Sequence, residues 1–230
     1  MPKATNYADN WFLLLDNNTT YANVGNAAGL VGSSGAGSPG SLYVSLHTGD
    51  PGLTGDQTVN EASYTGYGRV AVARSAAGWT VSGNQVSNTA NVTFNPCSGG
   101  SSTVTWFGIG TAASGTGQLL YAFPLIQTYY DFVAQTSGNL FYNNSSLATT
   151  TPVQLMTNPG GSLPGGFVQG TTYYVHTVTG TNFTVSAASG GADITVTAAG
   201  SGLLGQIASL AVSSGITPQF LAGQLIIYEV

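Results

Sequence analysis

The chain's two histidines and eight acids are the side chains that could carry acid–base or metal chemistry. His47 is followed by Asp50, Asp56 and Glu61, and imidazole and carboxylate groups at such short spacing can bind a cation or exchange protons. The segment lacks the regular ladder of oxygen ligands of a calcium-binding loop, however. We interpret it as a solvated, acid-rich turn, shaped by the sequence Asp50-Pro51-Gly52.

Nucleophilic catalysis has few candidates in this sequence. A Ser–His–Asp triad would use His47 or His176, but neither lies near a Gly-x-Ser-x-Gly elbow between a strand and a helix. Cys97 lies in a turn without an adjacent base, and as the single cysteine it excludes an intrachain disulfide. Asp131 lies beside Tyr129 and Tyr130, as a glycosidase carboxylate could. We expect no catalytic, cofactor or metal site; a small hydrolase is a distant third alternative.

The number of charged side chains is unusually low. Only 5% of the residues are Asp, Glu, Lys or Arg, whereas an ordinary soluble domain has about 25%. Charge keeps free proteins soluble and apart, so its scarcity favours a protein that packs against copies of itself in a large assembly. The alternative is that Ser, Thr, Asn and Gln hydrate the surface instead.

Charge and hydropathy also argue against several partners. The chain has three basic residues and a net charge of −5, and nucleic acid binding needs clustered Lys and Arg. No apolar run approaches 18 residues, which argues against a membrane-spanning helix. The first residues lack the charged and apolar regions of a signal peptide. We therefore expect no nucleic acid or membrane partner, and synthesis in a cytoplasm.

The pattern of the chain predicts an all-β protein. Short β-branched runs alternate with Gly, Ser, Thr, Asn and Pro, as in turn-rich β proteins. Leu42, Val44 and Leu46 share one face of a first strand. Further strands are predicted over residues 68–74, 78–81, 86–94, 103–110, 119–126, 171–176, 182–186, 192–197, 208–213 and 223–228. We expect an antiparallel β-sandwich, of jelly-roll or immunoglobulin-like type.

The N-terminal segment differs from the rest. Residues 4–16 predict a helix, with Thr5 or Asn6 as its cap and an apolar end that includes Trp11 and Phe12. This helix either lies on its own domain or is an arm that docks on a neighbouring subunit. A Gly-rich loop follows it.

The composition changes near residue 127 and changes back near residue 206. Residues 119–125 and 208–212, joined directly, would make an ordinary continuous β segment. We predict an N-terminal helix or arm with the Gly-rich loop at 1–41, a host β-sandwich at 42–126 plus 207–230, and an inserted small β module at 127–206. Such insertions need chain ends that lie close together. The alternative is one extended sandwich with long loops.

Several segments resemble a family of structural proteins of tailed bacteriophages. In the host part they are NYADN at 6–10, LYVSLHTGDPG at 42–52, NEASYTGYGR at 60–69, WFGIG at 106–110, GITP at 215–218 and AGQL at 222–225. The inserted part resembles a second phage-associated module, through residues 152–153, 163–164 and 170–175. These motifs are characteristic of a fold and of virion proteins; they do not mark a site, and they do not distinguish the head from the tail.

The resemblance implies a virion protein. Members of this kind include tail fibre and minor tail proteins, and some similar small β proteins are capsid cement (decoration) proteins. We interpret the chain as a capsid cement protein on the capsid surface, which binds over junctions of the major capsid protein and associates with copies of itself, for example as a trimer. The alternative is a tail or fibre-attachment protein, partnered by tail proteins, whose inserted module contacts the host surface.

Eight side chains are candidates for interface contacts. Arginine is enriched at interfaces, and tyrosine offers contact area at low entropic cost together with a hydrogen-bonding tip. One arginine is expected to pair with Glu61 or Asp56 within the chain and the other to cross an interface. The candidates are Trp11, Phe12, Arg69, Arg74, Tyr129, Tyr130, Tyr173 and Tyr174.

Overall fold

The computed structural model describes residues 25–26, 29–30, 41–82, 85–142, 147–157 and 161–228. The predicted helix at 4–16, with Trp11 and Phe12, lies outside the described residues. Within them the fold is antiparallel β, and the helical structure is a single 3-10 turn at Ser137–Asn139. The all-β prediction is therefore confirmed. No helix of the described part of the chain is long and apolar enough to span a membrane.

The chain forms two compact units. The first, called the host unit, comprises the described residues up to Pro124 and from Ser209 onward; the second, called the inserted unit, comprises Leu125–Ala208. The boundaries predicted from the sequence, residues 127 and 206, each lie two residues inside these limits. The N–H of Ala208 donates a hydrogen bond of 2.6 Å to the Leu125 carbonyl, so the first and last residues of the inserted unit are neighbours.

The host unit contains thirteen described strands. They are β1 (Gly25–Asn26), β2 (Gly29–Leu30), β3 (Ser41–His47), β4 (Val70–Ala73), β5 (Trp79–Ser82), β6 (Gln85–Asn88), β7 (Val92–Thr93), β8 (Ser101–Val104), β9 (Trp106–Gly110), β10 (Leu119–Pro124), β17 (Leu210–Ser213), β18 (Gln219–Phe220) and β19 (Ile226–Tyr228). A four-stranded sheet has the order β10-β9-β3-β4, and a three-stranded sheet has the order β19-β6-β5. The remaining strands pair as β1-β2, β17-β8 and β18-β7. A jelly-roll or immunoglobulin-like sandwich is not confirmed.

Strand β3 is central because it pairs with both β9 and β4. The predicted inward face is buried at Val44 and Leu46, but Ser45 and His47 on the other face are buried as well. The chain after β3 folds back against it, since the N–H of Ala62 donates to the Leu46 carbonyl at 2.8 Å. Both faces of the strand's second half are thus covered.

Two predicted host strands are each divided in the structure. The segment 103–110 breaks at Thr105, whose N–H donates to the His47 carbonyl at 2.9 Å; β8 pairs with β17, while β9 pairs with β3 and β10. The segment 86–94 becomes β6 and β7, which belong to different sheets. Long-range pairing decides these breaks, and local pattern does not reveal it.

The inserted unit is a closed barrel of six strands. They are β11 (Ile126–Ala134), β12 (Phe141–Tyr142), β13 (Pro152–Met156), β14 (Thr172–Thr179), β15 (Asn182–Ser186) and β16 (Gly200–Ile207), in the order β11-β12-β15-β14-β13-β16 around the barrel. The first strand closes on the last, with Tyr129 opposite Gly205 and Tyr130 opposite Leu204. The predicted strand at 192–197 is wrong: this segment makes an isolated bridge from Asp193 to Ser186.

The barrel interior is filled by side chains. Alternation along β11 turns Phe132 and Ala134 inward and leaves Tyr129, Asp131 and Val133 exposed. Phe141 and Phe183 are fully buried and stack with ring centroids 5.5 Å apart. This core lies wholly within the inserted unit, as a domain with its own folding information requires.

Candidate functional site

A network of polar side chains lies inside the host unit, at the positions that the sequence indicated for chemistry. His47 and Ser45 are fully buried at the end of β3. The His47 Nδ1 lies 2.8 Å from the Val59 carbonyl and its Nε2 lies 2.8 Å from the Ser45 hydroxyl. A carbonyl only accepts, so Nδ1 carries the proton and Nε2 of the neutral ring accepts from Ser45.

Burial sets the protonation state of this histidine. The pKa of His47 is lowered from its ordinary value, chiefly by burial, and the hydrogen bond to Val59 opposes the shift only in part. The hydrogen bond between the Ser45 hydroxyl and the His47 ring resembles the serine–histidine contact of a catalytic triad. In place of the triad's carboxylate, however, the ring contacts the Val59 backbone carbonyl, and both side chains are shielded from solvent. The pair therefore ties the segment after β3 to the sheet.

Glu61 and Arg69 form the second part of the network. The Arg69 Nε donates to Glu61 Oε1 at 2.6 Å and its Nη2 donates to Oε2 at 2.8 Å. Nη1 donates to the Ala112 carbonyl, and Nη2 also donates to the Gly115 carbonyl. Each of the three guanidinium nitrogens thereby has a partner inside the host unit, and the side chain is 2% exposed. Of the two acids predicted as intrachain partners, Glu61 is the one that pairs, and Arg69 has no surface to offer an interface.

Tyr67 and Gln57 complete the network. The Tyr67 hydroxyl donates to Glu61 Oε1 at 2.8 Å and accepts from the Leu46 N–H at 3.1 Å. Burial, with the neighbouring Glu61 charge, raises the pKa of Tyr67 well above its ordinary value. Gln57 is fully buried, and its Oε1 accepts from the Ala112 N–H. The sequence analysis did not single out these two residues, because an isolated Tyr or Gln in a polar loop carries no pattern.

The expectation of a solvated turn after His47 holds for part of the segment only. Asp50 and Asp56 do shape turns: Asp50 accepts from the N–H of Gly52 and Asp56 from the N–H and hydroxyl of Thr58, each at 2.7 Å. The hydrogen bonds from Thr58 lower the pKa of Asp56. His47 and Glu61 face inward instead, so the four side chains do not converge. Among the described residues no group of three or more His, Cys, Asp or Glu side chains is placed to hold a metal ion.

Arg74 lies at an open depression of about 640 Å³ in the host unit. Its lining consists of Leu42, Arg74, Ser75, Ala76, Trp79 and Thr80. Partial burial lowers the pKa of Arg74, which still leaves the guanidinium charged at neutral pH. Of the two arginines, Arg74 is the one that the structure leaves at a surface.

The four tyrosines predicted as contacts separate into different environments within the inserted unit. Tyr173 is a core residue, because strand alternation turns it inward against Phe167, with ring centroids 5.1 Å apart. Tyr130 is half-buried and packs against the same core. Tyr174 is half-buried, and Tyr129 is 54% exposed. Tyr173 is therefore corrected from a surface contact to a structural residue, and Tyr129 is the tyrosine most accessible to a partner.

Comparison with known proteins identifies one similarity. Residues 18–129 match the model of a family described as "Podophage GP4 fiber I protein gp80". The match covers slightly less than half of the chain: most of the host unit and the first five residues of the inserted unit. No curated protein matches the chain. The similarity supports a structural protein of a tailed-phage virion, and it does not distinguish the capsid from the tail.

The matched segment contains the whole polar network described above. His47, Gln57, Glu61, Tyr67 and Arg69 all lie between residues 18 and 129. The network joins the segment after β3 to the β9–β10 connection by hydrogen bonds to Ala112 and Gly115, and paired polar groups of this kind specify one packing. The buried Nε2 of Gln57 has no hydrogen-bond partner in this network. The chemistry of the network is therefore that of a fold determinant.

Proposed function

We propose that this protein is a component of the tail fibre apparatus of a tailed bacteriophage, the alternative raised by the sequence. The observation that carries the proposal is the similarity of residues 18–129 to a podophage fibre family. The scarcity of charge is consistent with it, because faces covered by other subunits do not need charge to stay soluble. In this proposal the protein is structural and has no catalytic role.

The two units take different parts in the proposal. The host unit contains most of the matched segment, so it is the part that carries the role shared with the fibre family: contact with tail proteins and with further copies of the chain. Nearly all of the inserted barrel lies outside the matched segment. A module added to a shared scaffold is suited to a function particular to this protein, and we assign it the contact with the host surface.

The capsid cement role expected from the sequence is also compatible with low charge. No similarity to a capsid protein supports the cement role, whereas the match to the fibre family supports the tail role. We therefore do not propose it, and the experiment below would reveal it.

The test is the position and copy number of the protein in purified phage particles. Quantitative mass spectrometry of separated heads and tails should find it in the tail fraction, at a few to a few tens of copies per particle. Antibodies raised against the inserted unit should label the tail in electron micrographs. Near parity with the major capsid protein, or labelling spread over the head, would replace the tail proposal by the capsid one.

A further inference from the structure

One outer face of the barrel carries an exposed aromatic platform. Tyr129 lies on β11 opposite Gly205 of β16. A side chain at Gly205 would come within 3.2 Å of the Tyr129 ring, 3.0 Å of Ile126 and 3.3 Å of Met156. The glycine thus lets these three side chains converge over the strand, while the tyrosine remains 54% exposed. We call Tyr129, Ile126, Met156 and Gly205 the Tyr129 platform.

A carboxylate stands beside this platform on the same face. Asp131 follows Tyr129 by two residues on β11 and is exposed, which places the two side chains about 7 Å apart along the strand. Leu203 lies opposite Asp131 and opposite Met156. An apolar surface and a hydrogen-bond acceptor therefore lie side by side, at a separation similar to the width of one sugar ring.

Charge limits what can occupy this face. Residues 125–208 contain Asp131 and Asp193 as their acids and no Lys or Arg. Asp193 is engaged by the Thr184 hydroxyl at 2.6 Å and the His176 Nδ1 at 2.7 Å. An anionic ligand would find no cation here and would be repelled by Asp131. A second copy of the same face across a two-fold axis would bring Asp131 towards its own copy, and burying two like charges together is costly.

We propose that the Tyr129 platform binds a neutral, hydroxyl-rich glycan of the bacterial surface. The C–H face of a sugar ring covers apolar area on Tyr129 and Met156, and its hydroxyls donate to the Asp131 carboxylate, as charge-assisted hydrogen bonds. Both interactions fit a ligand without charge. The inference deepens the proposed function, because it gives the inserted unit its ligand class.

The test uses the full chain and immobilised neutral oligosaccharides built from hexoses and N-acetylhexosamines. Binding of at least one neutral oligosaccharide is expected, with no binding of a uronate-bearing one. Tyr129→Ala should weaken the affinity about tenfold, the upper end of what one aromatic contact contributes, and Asp131→Asn should weaken it by a smaller factor. The matched control is Val168→Ala, since Val168 is an apolar side chain of the inserted unit that is 64% exposed and lies outside β11 and β16.

Three outcomes would overturn this assignment. They are no binding to any neutral oligosaccharide, binding that survives Tyr129→Ala unchanged, and a preference for uronate-bearing glycans. Circular dichroism of each variant separates lost binding from lost folding; Tyr129 is exposed, so its variant should fold. A protein found in phage tails that binds no glycan would refute this inference and leave the tail proposal standing.

Discussion

The Glu61 carboxylate and the Arg69 guanidinium form a bidentate ion pair inside the host unit, with N–O distances of 2.6 and 2.8 Å. They lie eight positions apart in the sequence, and the Tyr67 hydroxyl donates to the same carboxylate. The pair closes the segment that returns from β3 to β4. It also reaches the β9–β10 connection through the carbonyls of Ala112 and Gly115. The ion pair of Glu61, whose side chain is 17% exposed, with Arg69 therefore organises two separate parts of the chain.

Glu61→Gln should destabilise the host unit strongly. The substitution leaves the guanidinium of Arg69 buried without its counter-charge, and breaking a buried pair from one side costs about 3–5 kcal/mol. The free energy of unfolding can be followed by tryptophan fluorescence, because Trp79 and Trp106 lie in the host unit and residues 125–208 contain no tryptophan. The matched control is Asp56→Asn, which removes a partly exposed acid whose hydrogen bonds stay within its own turn. Equal stability of the two variants would contradict the role of the pair.

His47 predicts a pH dependence of host-unit stability. Burial lowers the pKa of His47 below its ordinary 6.5, so the unfolded chain takes up this proton at a higher pH than the folded chain does. The stability is present in full above about pH 6.5 and declines as the pH falls towards the lowered pKa, by at most about 1.4 kcal/mol per pH unit. The decline should be visible in denaturation curves taken between about pH 6.5 and pH 4.5.

The control for this pH dependence is the second histidine. His176→Asn, in the inserted unit, should leave the pH dependence of tryptophan fluorescence unchanged, whereas His47→Asn should reduce it. NMR titration of the wild-type protein reports the same property without a mutation at His47. A His47 ring signal that titrates at or above pH 6.5 in the folded protein would show that its environment is not the dry one described.

Strand β3 shows how far the sequence alone could predict this network. The alternation of Leu42, Val44 and Leu46 correctly identified one buried face of β3. The same alternation assigned Ser45 and His47 to the opposite face of the strand. They are buried because the chain some fifteen residues later returns along β3, and a contact between distant segments leaves no periodic signal.

The barrel shows the same limit for a different reason. Asn182–Ser186 was predicted as a strand and is one, because β-branched and aromatic residues alternate there. Alternation alone could not say whether Tyr173 or Tyr174 faces inward, since either register satisfies the pattern. The closure of β11 on β16 fixes the register, and it joins residues about 75 positions apart. Tyr129 stood out in the sequence as one of four tyrosines, and only the register separates it from Tyr173.

Gly108 predicts a steric requirement at the centre of the host sheet. A Cβ atom at this position would lie 2.8 Å from His47 Nε2, 2.8 Å from Ser45 Oγ and 2.6 Å from Leu119 Cδ1. Gly108→Ala should therefore displace the Ser45–His47 hydrogen bond and cost about 1–3 kcal/mol of stability. Gly49→Ala is the control, because its Cβ would meet Asn60 at an ordinary 3.4 Å. Chemical denaturation of both variants checks the expectation, and a Gly108→Ala protein as stable as Gly49→Ala would contradict the packing described.

Removal of the inserted unit should leave a folded host unit. The Ala208 N–H donates to the Leu125 carbonyl, so the chain enters and leaves the inserted unit at neighbouring residues. A short link can therefore join Pro124 to Ser209 when the unit is removed. We expect the chain without Leu125–Ala208 to retain its antiparallel β circular dichroism and a cooperative tryptophan-detected transition, because the buried network from His47 to Arg69 lies wholly in the retained part. The matched control is a deletion of the same length that begins inside the host unit, at Val70, which should unfold the protein. An excised chain that lacks a cooperative transition would show that the host unit depends on the barrel, and the two would then have to be treated as one folding unit.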